Sequence, residues 1–302
     1  MAIYLFFEIL GMLENINWYP GHMKKTRELI QENLRMVDVV VEVIDARIPV
    51  SSRNPIIDEI VAGKPRIIVL NKSDVSDSEQ NKLWEDYFRE QGNLALSMNC
   101  MIGTGTKELL RVLEKYQDEK NDGAQRKKVL RLMIVGVPNV GKSSLINRLT
   151  GKKSAKTGDR PGVTKGKQWL TLENGMQLLD TPGILWPKFE DPKAGLNLAF
   201  CGSIKDEILD SASLALELIR VLANDYPDLL CKRYKVEIPD GDEEEYDEDG
   251  HPVDPMLTLM NDICRNRGWI LPGKRLDYER AGRTILDEFR GGVIGNITLE
   301  RL

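Results

Sequence analysis

The 302-residue chain has no apolar run long enough to cross a bilayer. Its one N-terminal candidate, Ile3 to Leu10, is short, carries Glu8, and lacks both a basic n-region and a small-residue cleavage site, so it is not a signal peptide. Residues 1–12 are expected to be an N-terminal extension, with Met12 an alternative start. With no targeting signal, a soluble, cytoplasmic protein is expected. Cysteine is sparse: Cys100, Cys201, Cys231 and Cys264 lie far apart without CxxC or CxxH spacing. That spacing argues against a zinc site and for reduced thiols. Histidine is scarcer still, with only His22 and His251 available for proton chemistry. The net charge of −5 is local in origin, because eight acids and no base fall between Asp240 and Asp249. Without that run the chain is +3, and bases cluster at Lys24, Lys25 and Arg27, at Arg126 to Lys128, at Lys152, Lys153 and Lys156, and from Arg265 to Arg283. Such clusters permit RNA contact without establishing it.

What the chain does contain is three short motifs in an unusual order. Asn71-Lys72-Ser73-Asp74 fits NKxD, Gly136-Val-Pro-Asn-Val-Gly141-Lys142-Ser143 fits GxxxxGK[ST], and Asp180-Thr181-Pro182-Gly183 fits DxxG. An ordinary small GTPase runs P-loop, DxxG, NKxD. Here the guanine motif comes first, which implies a circularly permuted GTPase domain.

The surrounding pattern agrees. Val37 to Ile44, Arg66 to Leu70 and Leu130 to Val135 are aliphatic runs suited to parallel strands covered on both faces. Helical stretches at Pro55 to Ala62, Asp77 to Gln91 and Thr106 to Lys120 alternate with them, implying α/β architecture with a doubly wound, mostly parallel sheet. Each motif follows a strand, where open sheets bind ligands. The polar stretch Gln117 to Lys128 joins what would be the two free ends of an unpermuted domain. Beyond about Phe200, stripes through Leu214, Leu218 and Leu222, through Met256, Met260 and Ile263, and through Tyr278, Ile285 and Phe289 predict a small α-helical domain. The expected division is residues 13–203 for the GTPase domain and 204–302 for the helical one, the latter a candidate ribosome- or RNA-binding part.

The chemistry follows from residue types. Pro138, Asn139, Val140, Gly141, Lys142, Ser143 and Ser144 form a loop and helix start in which the N–H groups after Pro138 are expected to face phosphates. Lys142 is expected to reach the β- and γ-phosphates and Ser143 to ligate Mg²⁺. Asn71, Lys72 and Asp74 address the base, the Asp74 carboxylate accepting from guanine N1 and N2, which selects GTP/GDP over adenine nucleotides. Asp180 is expected to hold Mg²⁺ through water, the Gly183 N–H to meet the γ-phosphate, and Thr164 to close over the metal. The position after DTPG is Ile184, which cannot orient an attacking water as glutamine does. The catalytic group must therefore come from elsewhere, and His22, beside the Pro20-Gly21 turn signal, is a candidate although such a histidine is commonly only a surface residue.

Through WYPGHMKK, DARIPVSSRNP, NKSD, GVPNVGKSSLINRL, TGDRPGVTKG and LLDTPGILWPKFED, the chain resembles the ribosome biogenesis GTPase A (RbgA/YlqF) family from about Asn17 to Pro192. The resemblance implies a GTPase of late large-subunit assembly that binds the ribosome precursor and hydrolyses GTP with ribosome stimulation. It also implies that His22 replaces the missing glutamine and that Asn139 holds K⁺ near the phosphates. Asn99-Cys100 stands where the family more often has Asn-Ser behind the guanine. The expected partner is the large ribosomal subunit precursor, with no membrane and a monomeric protein. Two alternatives remain open at this point: a GTP-dependent regulator of other RNA, and a slow GTP-binding scaffold suggested by Ile184.

Overall fold

The computed structural model describes residues 20–151, 168–181, 183, 185, 191–206, 209–239 and 253–302. The described residues group into two compact units, Asn17–Glu190 with Glu300–Leu302, and Asp191–Leu299. The sequence pattern placed the division at 203/204 and left the last three residues with the helices. Glu300–Leu302 instead join the first unit, because their polar groups are bonded there.

The first unit is built on a six-stranded sheet in the order β3-β2-β1-β4-β6-β5. Its strands are β1 (Val39–Asp45), β2 (Arg66–Asn71), β3 (Leu94–Met98), β4 (Arg131–Val135), β5 (Gln168–Thr171) and β6 (Gln177–Asp180). Only β5, at one edge, runs antiparallel. β1 pairs with β2 on one side and with β4 on the other, so the NKxD strand and the P-loop strand flank the same neighbour. Every residue of β1 is buried. This is why its aliphatic run shows no alternation.

Helices α1 (Pro20–Leu34), α2 (Pro55–Ile60), α3 (Ser78–Glu90), α4 (Thr106–Asn121) and α5 (Lys142–Thr150) complete this unit. The Pro20-Gly21 signal opens α1 rather than a free turn, consistent with the tolerance of proline in a helix's first turn. Ile30 and Leu34 of α1 then pack with Val40, Ile57, Met133 and Leu179. Trp84 and Phe88 of α3 pack against Ile44, Ile68, Leu70 and Ala95. Each fully buried aliphatic or aromatic side chain of this kind contributes about 1.5–3 kcal/mol. Side-chain caps fix the helix starts: Asn54 Oδ1 accepts from Ile56 N at 2.9 Å, and Asp77 Oδ1 accepts from Glu79 N at 2.8 Å.

Glu42 breaks the apolar pattern in the middle of β1. It is buried there, which raises its pKa, and Arg53 and Arg66 pull it back. Its Oε2 lies 3.2 Å from Arg66 and 3.5 Å from Arg53.

The permutation joint is tied by side chains. Gln117 donates to Lys128 O at 2.6 Å and accepts from Leu130 N at 2.7 Å, closing the connection between α4 and β4. The Asp38 carboxylate takes Lys120 Nζ at 2.5 Å and Arg131 N at 2.8 Å, holding the same two ends beside β1. Joined in this way, the ends need no disruption of the core.

The second unit comprises α6 (Pro192–Phe200), α7 (Ser211–Asp225), α8 (Pro227–Tyr234), α9 (Pro255–Arg267) and α10 (Tyr278–Arg290). The three sequence stripes fall on α7, α9 and α10, with Leu214, Leu218, Ile263, Ile285 and Phe289 buried. Gly282 lets α10 approach α7: a Cβ there would lie 2.4 Å from Ser211 O. Glu288 gathers Arg233, Arg267 and the Tyr234 hydroxyl, which donates to it at 2.9 Å. The short helices α6 and α8, and strands β3 and β5, were not legible in the pattern.

Candidate functional site

The P-loop begins where β4 ends. Gly136 adopts φ +148, Asn139 φ +60 and Gly141 φ +100, a succession of backbone turns that aims N–H groups inward before α5 starts at Lys142. Two of these glycines are demanded by close approach. A Cβ on Gly136 would sit 2.3 Å from Val43 O, and one on Gly141 would sit 2.1 Å from the Asn71 amide nitrogen.

Asn71 is the joint of the site. Its Nδ2 donates to Val140 O at 2.6 Å and its Oδ1 accepts from Cys100 N at 2.9 Å. One buried side chain thereby links the NKxD strand, the phosphate loop and the loop after β3. Lys72 follows in left-handed conformation, φ +64, with its Nζ 2.8 Å from Asp45 Oδ2. Asp74 is exposed, placing its carboxylate in solvent reach of an incoming base.

Asp45 and Arg47 are site-supporting residues that the spacing alone did not single out. Arg47 clamps Asp45 bidentately, Nε at 2.9 Å and a terminal nitrogen at 2.7 Å. Burial acts to raise the Asp45 pKa, but Arg47 and Lys72 outweigh it and hold the carboxyl well below the usual range. A carboxylate at the C-terminal end of an apolar strand was the signal available in the sequence.

Behind the expected base position, Asn99 serves its own loop: its Oδ1 accepts from Met101 N at 2.9 Å and Ile102 N at 3.2 Å. Cys100 is buried, and burial pushes its thiol up to about 12 against the pull of Arg148, so it stays a neutral thiol at physiological pH. Arg148 of α5 donates to Met101 O, and Ser144 Oγ lies 3.4 Å from Met101 Sδ, so the P-loop helix also carries this loop.

At the phosphate end, Lys142 is 8 % exposed and its Nζ donates to Val137 O at 2.6 Å. Burial lowers its pKa to about 8, with Asp180 opposing the shift. Asp180 is itself raised by burial and lowered by Lys142 and the Thr181 N–H. Thr181 Oγ1 donates to Ile134 O at 2.5 Å and fixes the DxxG segment beside β4. Gly183 reaches the P-loop, since a Cβ there would meet Lys142 Nζ at 2.8 Å and Pro138 N at 2.9 Å.

A buried carboxylate balanced by one lysine, with the Ser143 hydroxyl at the first turn of α5, suits a hard divalent cation. Magnesium typically takes one or two carboxylates and completes its shell with phosphate oxygens and water. Among the described residues no cluster of three or more His, Cys, Asp or Glu could hold a metal, and a phosphate-bound ion needs none.

The structure therefore brings Asn71, Lys72, Cys100, Pro138, Val140, Gly141, Lys142, Asp180 and Gly183 into one site, with Asp74, Asn99 and Asn139 on the same loops and Ser143 and Ser144 in the first turn of α5. Thr164 and Ile184 lie outside the described residues, as does His251. His22 falls within α1, and its side chain is likewise outside them.

Comparison with known proteins places this arrangement. A family profile described as "50S ribosome-binding GTPase" matches residues 131–239. "Ribosome biogenesis GTPase A" of Bacillus cereus is 46% identical over 290 residues, covering 94% of this chain and 93% of the relative. GDP-bound TM YlqF superposes with a TM-score of 0.65 at 29% identity, covering 90% of this chain and 98% of that one. GNP-bound YlqF from T. maritima gives 0.62 at 29% identity, covering 92% and 98%. Both the inverted motif order and identity sustained over nearly the whole length lead to one conclusion: the chain belongs to the ribosome biogenesis GTPase A family and is a circularly permuted enzyme that binds guanine nucleotides and hydrolyses GTP.

Proposed function

We propose that this GTPase acts in the late assembly of the large ribosomal subunit, in the cytoplasm and as a monomer. In the GTP state it docks on the precursor particle, and hydrolysis, stimulated by the particle, lets it leave. The observation carrying this reading is the 46% identity to a ribosome biogenesis GTPase A that extends across 94% of the chain, helical unit included. The profile's own description names the 50S subunit. Among the described residues no helix is long and apolar enough to cross a membrane. The second unit exposes Arg265, Lys274, Arg275, Arg280 and Arg283, and although Arg265 and Arg283 pair with Asp262 and Glu279, these bases support contact with rRNA phosphates.

The residues divide the work. Asp74 selects guanine by accepting from its N1 and N2, while Asn71 and Lys72 set the position of that carboxylate. Lys142 and the P-loop N–H groups hold the β- and γ-phosphates. Ser143 and Asp180, joined by Thr164, hold Mg²⁺, which when bound neutralises phosphate charge. Asn139 supplies a ligand for K⁺. Gly183 presents its N–H to the γ-phosphate, and His22 orients the attacking water in place of the side chain that Ile184 cannot provide. Loss of the γ-phosphate removes the contacts of Thr164 and Gly183 and relaxes both segments.

The test is single-turnover GTP hydrolysis with and without purified large subunits, in K⁺ and in Na⁺, for wild type and His22→Ala. The expected result is subunit-dependent, K⁺-favoured hydrolysis that His22→Ala abolishes. Equal rates for the two proteins remove His22 from the mechanism. Stimulation by small subunits or by free RNA alone removes the large-subunit assignment. Dissociation from the particle at the same rate with a non-hydrolysable analogue excludes hydrolysis-linked release.

A further inference from the structure

Glu300 makes a set of bonds that the nucleotide chemistry does not require. Its carboxylate accepts from Val50 N at 2.6 Å, from Ser51 N at 3.0 Å and from the Ser51 hydroxyl. Its carbonyl accepts from Trp84 Nε1 at 2.8 Å, and two residues on, Leu302 N donates to Gln80 Oε1 at 2.8 Å. Glu300 and Leu302 thus fasten the loop after β1 to the helix α3.

That loop starts directly after Asp45, the Lys72 anchor at the end of β1. Ser52, next to the clamped Ser51, uses its hydroxyl to accept from Asp45 N at 3.0 Å and to donate to Ile48 O at 2.7 Å. Ile48 N donates to Asp45 O at 3.0 Å, and Ala46 N donates to Asn71 O at 2.8 Å. Asp45 in turn holds Lys72. A continuous bonded route therefore runs from the Glu300 carboxylate, through residues 51 and 52, to both ends of Asp45 and on to Asn71 and Lys72. The far side of the route is as well anchored, since Trp84 packs on Ile44 and Leu70, the residues just before Asp45 and Asn71.

We propose that Glu300 is a positioning residue of the guanine-nucleotide site, a clasp that fixes the 46–53 loop so that Asp45 presents Lys72 in its left-handed, binding-ready conformation. Two N–H groups and a hydroxyl converging on one carboxylate form a charge-assisted contact. Without the clasp the loop keeps its internal turns but gains freedom at Val50 and Ser51, and nucleotide binding must then supply the ordering that Glu300 supplies in advance. The effect falls on affinity. The hydrolytic step, at the opposite end of the nucleotide, keeps its groups.

The experiment measures GDP binding by calorimetry and GTP turnover at saturation for wild type, Glu300→Ala, Glu300→Gln and the core variant Ile60→Val, with thermal melts of each. Ile60 packs with Val37, Val40 and Met133, none of them in the clasp, and serves as a control for lost stability alone. The expected result for Glu300→Ala is a GDP Kd raised roughly fivefold, a fraction of what charge-assisted hydrogen bonds contribute, with turnover at saturation unchanged. Glu300→Gln, which keeps one acceptor oxygen, falls between wild type and Ala, and Ile60→Val binds GDP as wild type does. A Glu300→Ala protein with wild-type Kd and only a lower Tm overturns the proposal. So does an equal Kd increase in Ile60→Val. Wild-type GDP binding in the same titrations keeps the nucleotide site itself separate from this outcome.

Discussion

Asn71 Nδ2 lies 2.6 Å from the carbonyl oxygen of Val140, so the residue that opens the guanine motif physically supports the phosphate loop, 69 positions later in the chain. The same amide receives the Cys100 N–H. The NKxD strand and the phosphate loop share one side chain, and order in the chain is irrelevant to that contact. It explains why a permuted domain keeps a working site.

Asn71→Ala leaves the Val140 carbonyl and the Cys100 N–H buried without this partner. Each such loss costs about 1–3 kcal/mol, so a stability loss of about 2–6 kcal/mol is expected by chemical denaturation. GDP affinity should fall by more than about 100-fold in calorimetry, because both loops lose their reference point. Near-normal affinity in a folded Asn71→Ala protein would contradict the joint.

Asp74→Asn exchanges an acceptor for a donor at the base edge. Guanine then faces an amide where it needs a carboxylate, whereas xanthine, with a carbonyl in place of the 2-amino group, gains a partner. Competition binding should show GDP weakened by roughly 100-fold and xanthosine diphosphate improved, since a hydrogen-bonding site strongly rejects the ligand that leaves it unpaired. Unchanged preference for guanine would place base selection elsewhere.

Lys142 gives a pH signature. In the ligand-free protein burial lowers its pKa to about 8, below the ordinary lysine value, so the native state binds fewer protons than the unfolded state as pH climbs past 8. Its burial therefore opposes folding below that pH, and the cost is relieved above it. Phosphate binding requires the charged form, so GDP binding takes up a proton in the same range. Affinity should be nearly level below pH 8 and fall about tenfold between pH 7 and pH 9, following the fraction of ammonium. Lys142→Arg, which does not titrate there, should show no such inflection.

Gly183→Ala introduces a methyl 2.9 Å from the backbone nitrogen of Pro138, which cannot retreat as a flexible side chain can. The DxxG segment must move away from the P-loop, at about 1–3 kcal/mol for overpacking. Binding of a non-hydrolysable GTP analogue should weaken by roughly tenfold more than binding of GDP, because only the former meets the Gly183 N–H. Equal weakening of both would detach Gly183 from γ-phosphate sensing.

The structure corrected the sequence reading where contacts are non-local. The Pro20-Gly21 pair reads as a turn, but Ile30 and Leu34 find apolar partners on the sheet and the segment becomes a helix. The strand Leu94–Met98 has too little pattern of its own and is made by pairing with β2. The resemblance places Asn99 behind the guanine, and in the structure its Oδ1 accepts from Met101 N and Ile102 N of the same loop.

The sequence by itself determined the chemistry and the architecture. Glycines at 136 and 141, a lysine and serine at the helix start, and an NKxD aspartate are local requirements of phosphate and guanine, and aliphatic runs without alternation require a covered parallel sheet. The tertiary structure alone decided how those pieces support one another: Asn71 under Val140, Asp45 beneath Lys72, Glu300 on Ser51. Contacts of that kind join residues tens to hundreds of positions apart. Their strength depends on burial and on distances of a few ångströms, and residue spacing along a chain carries neither.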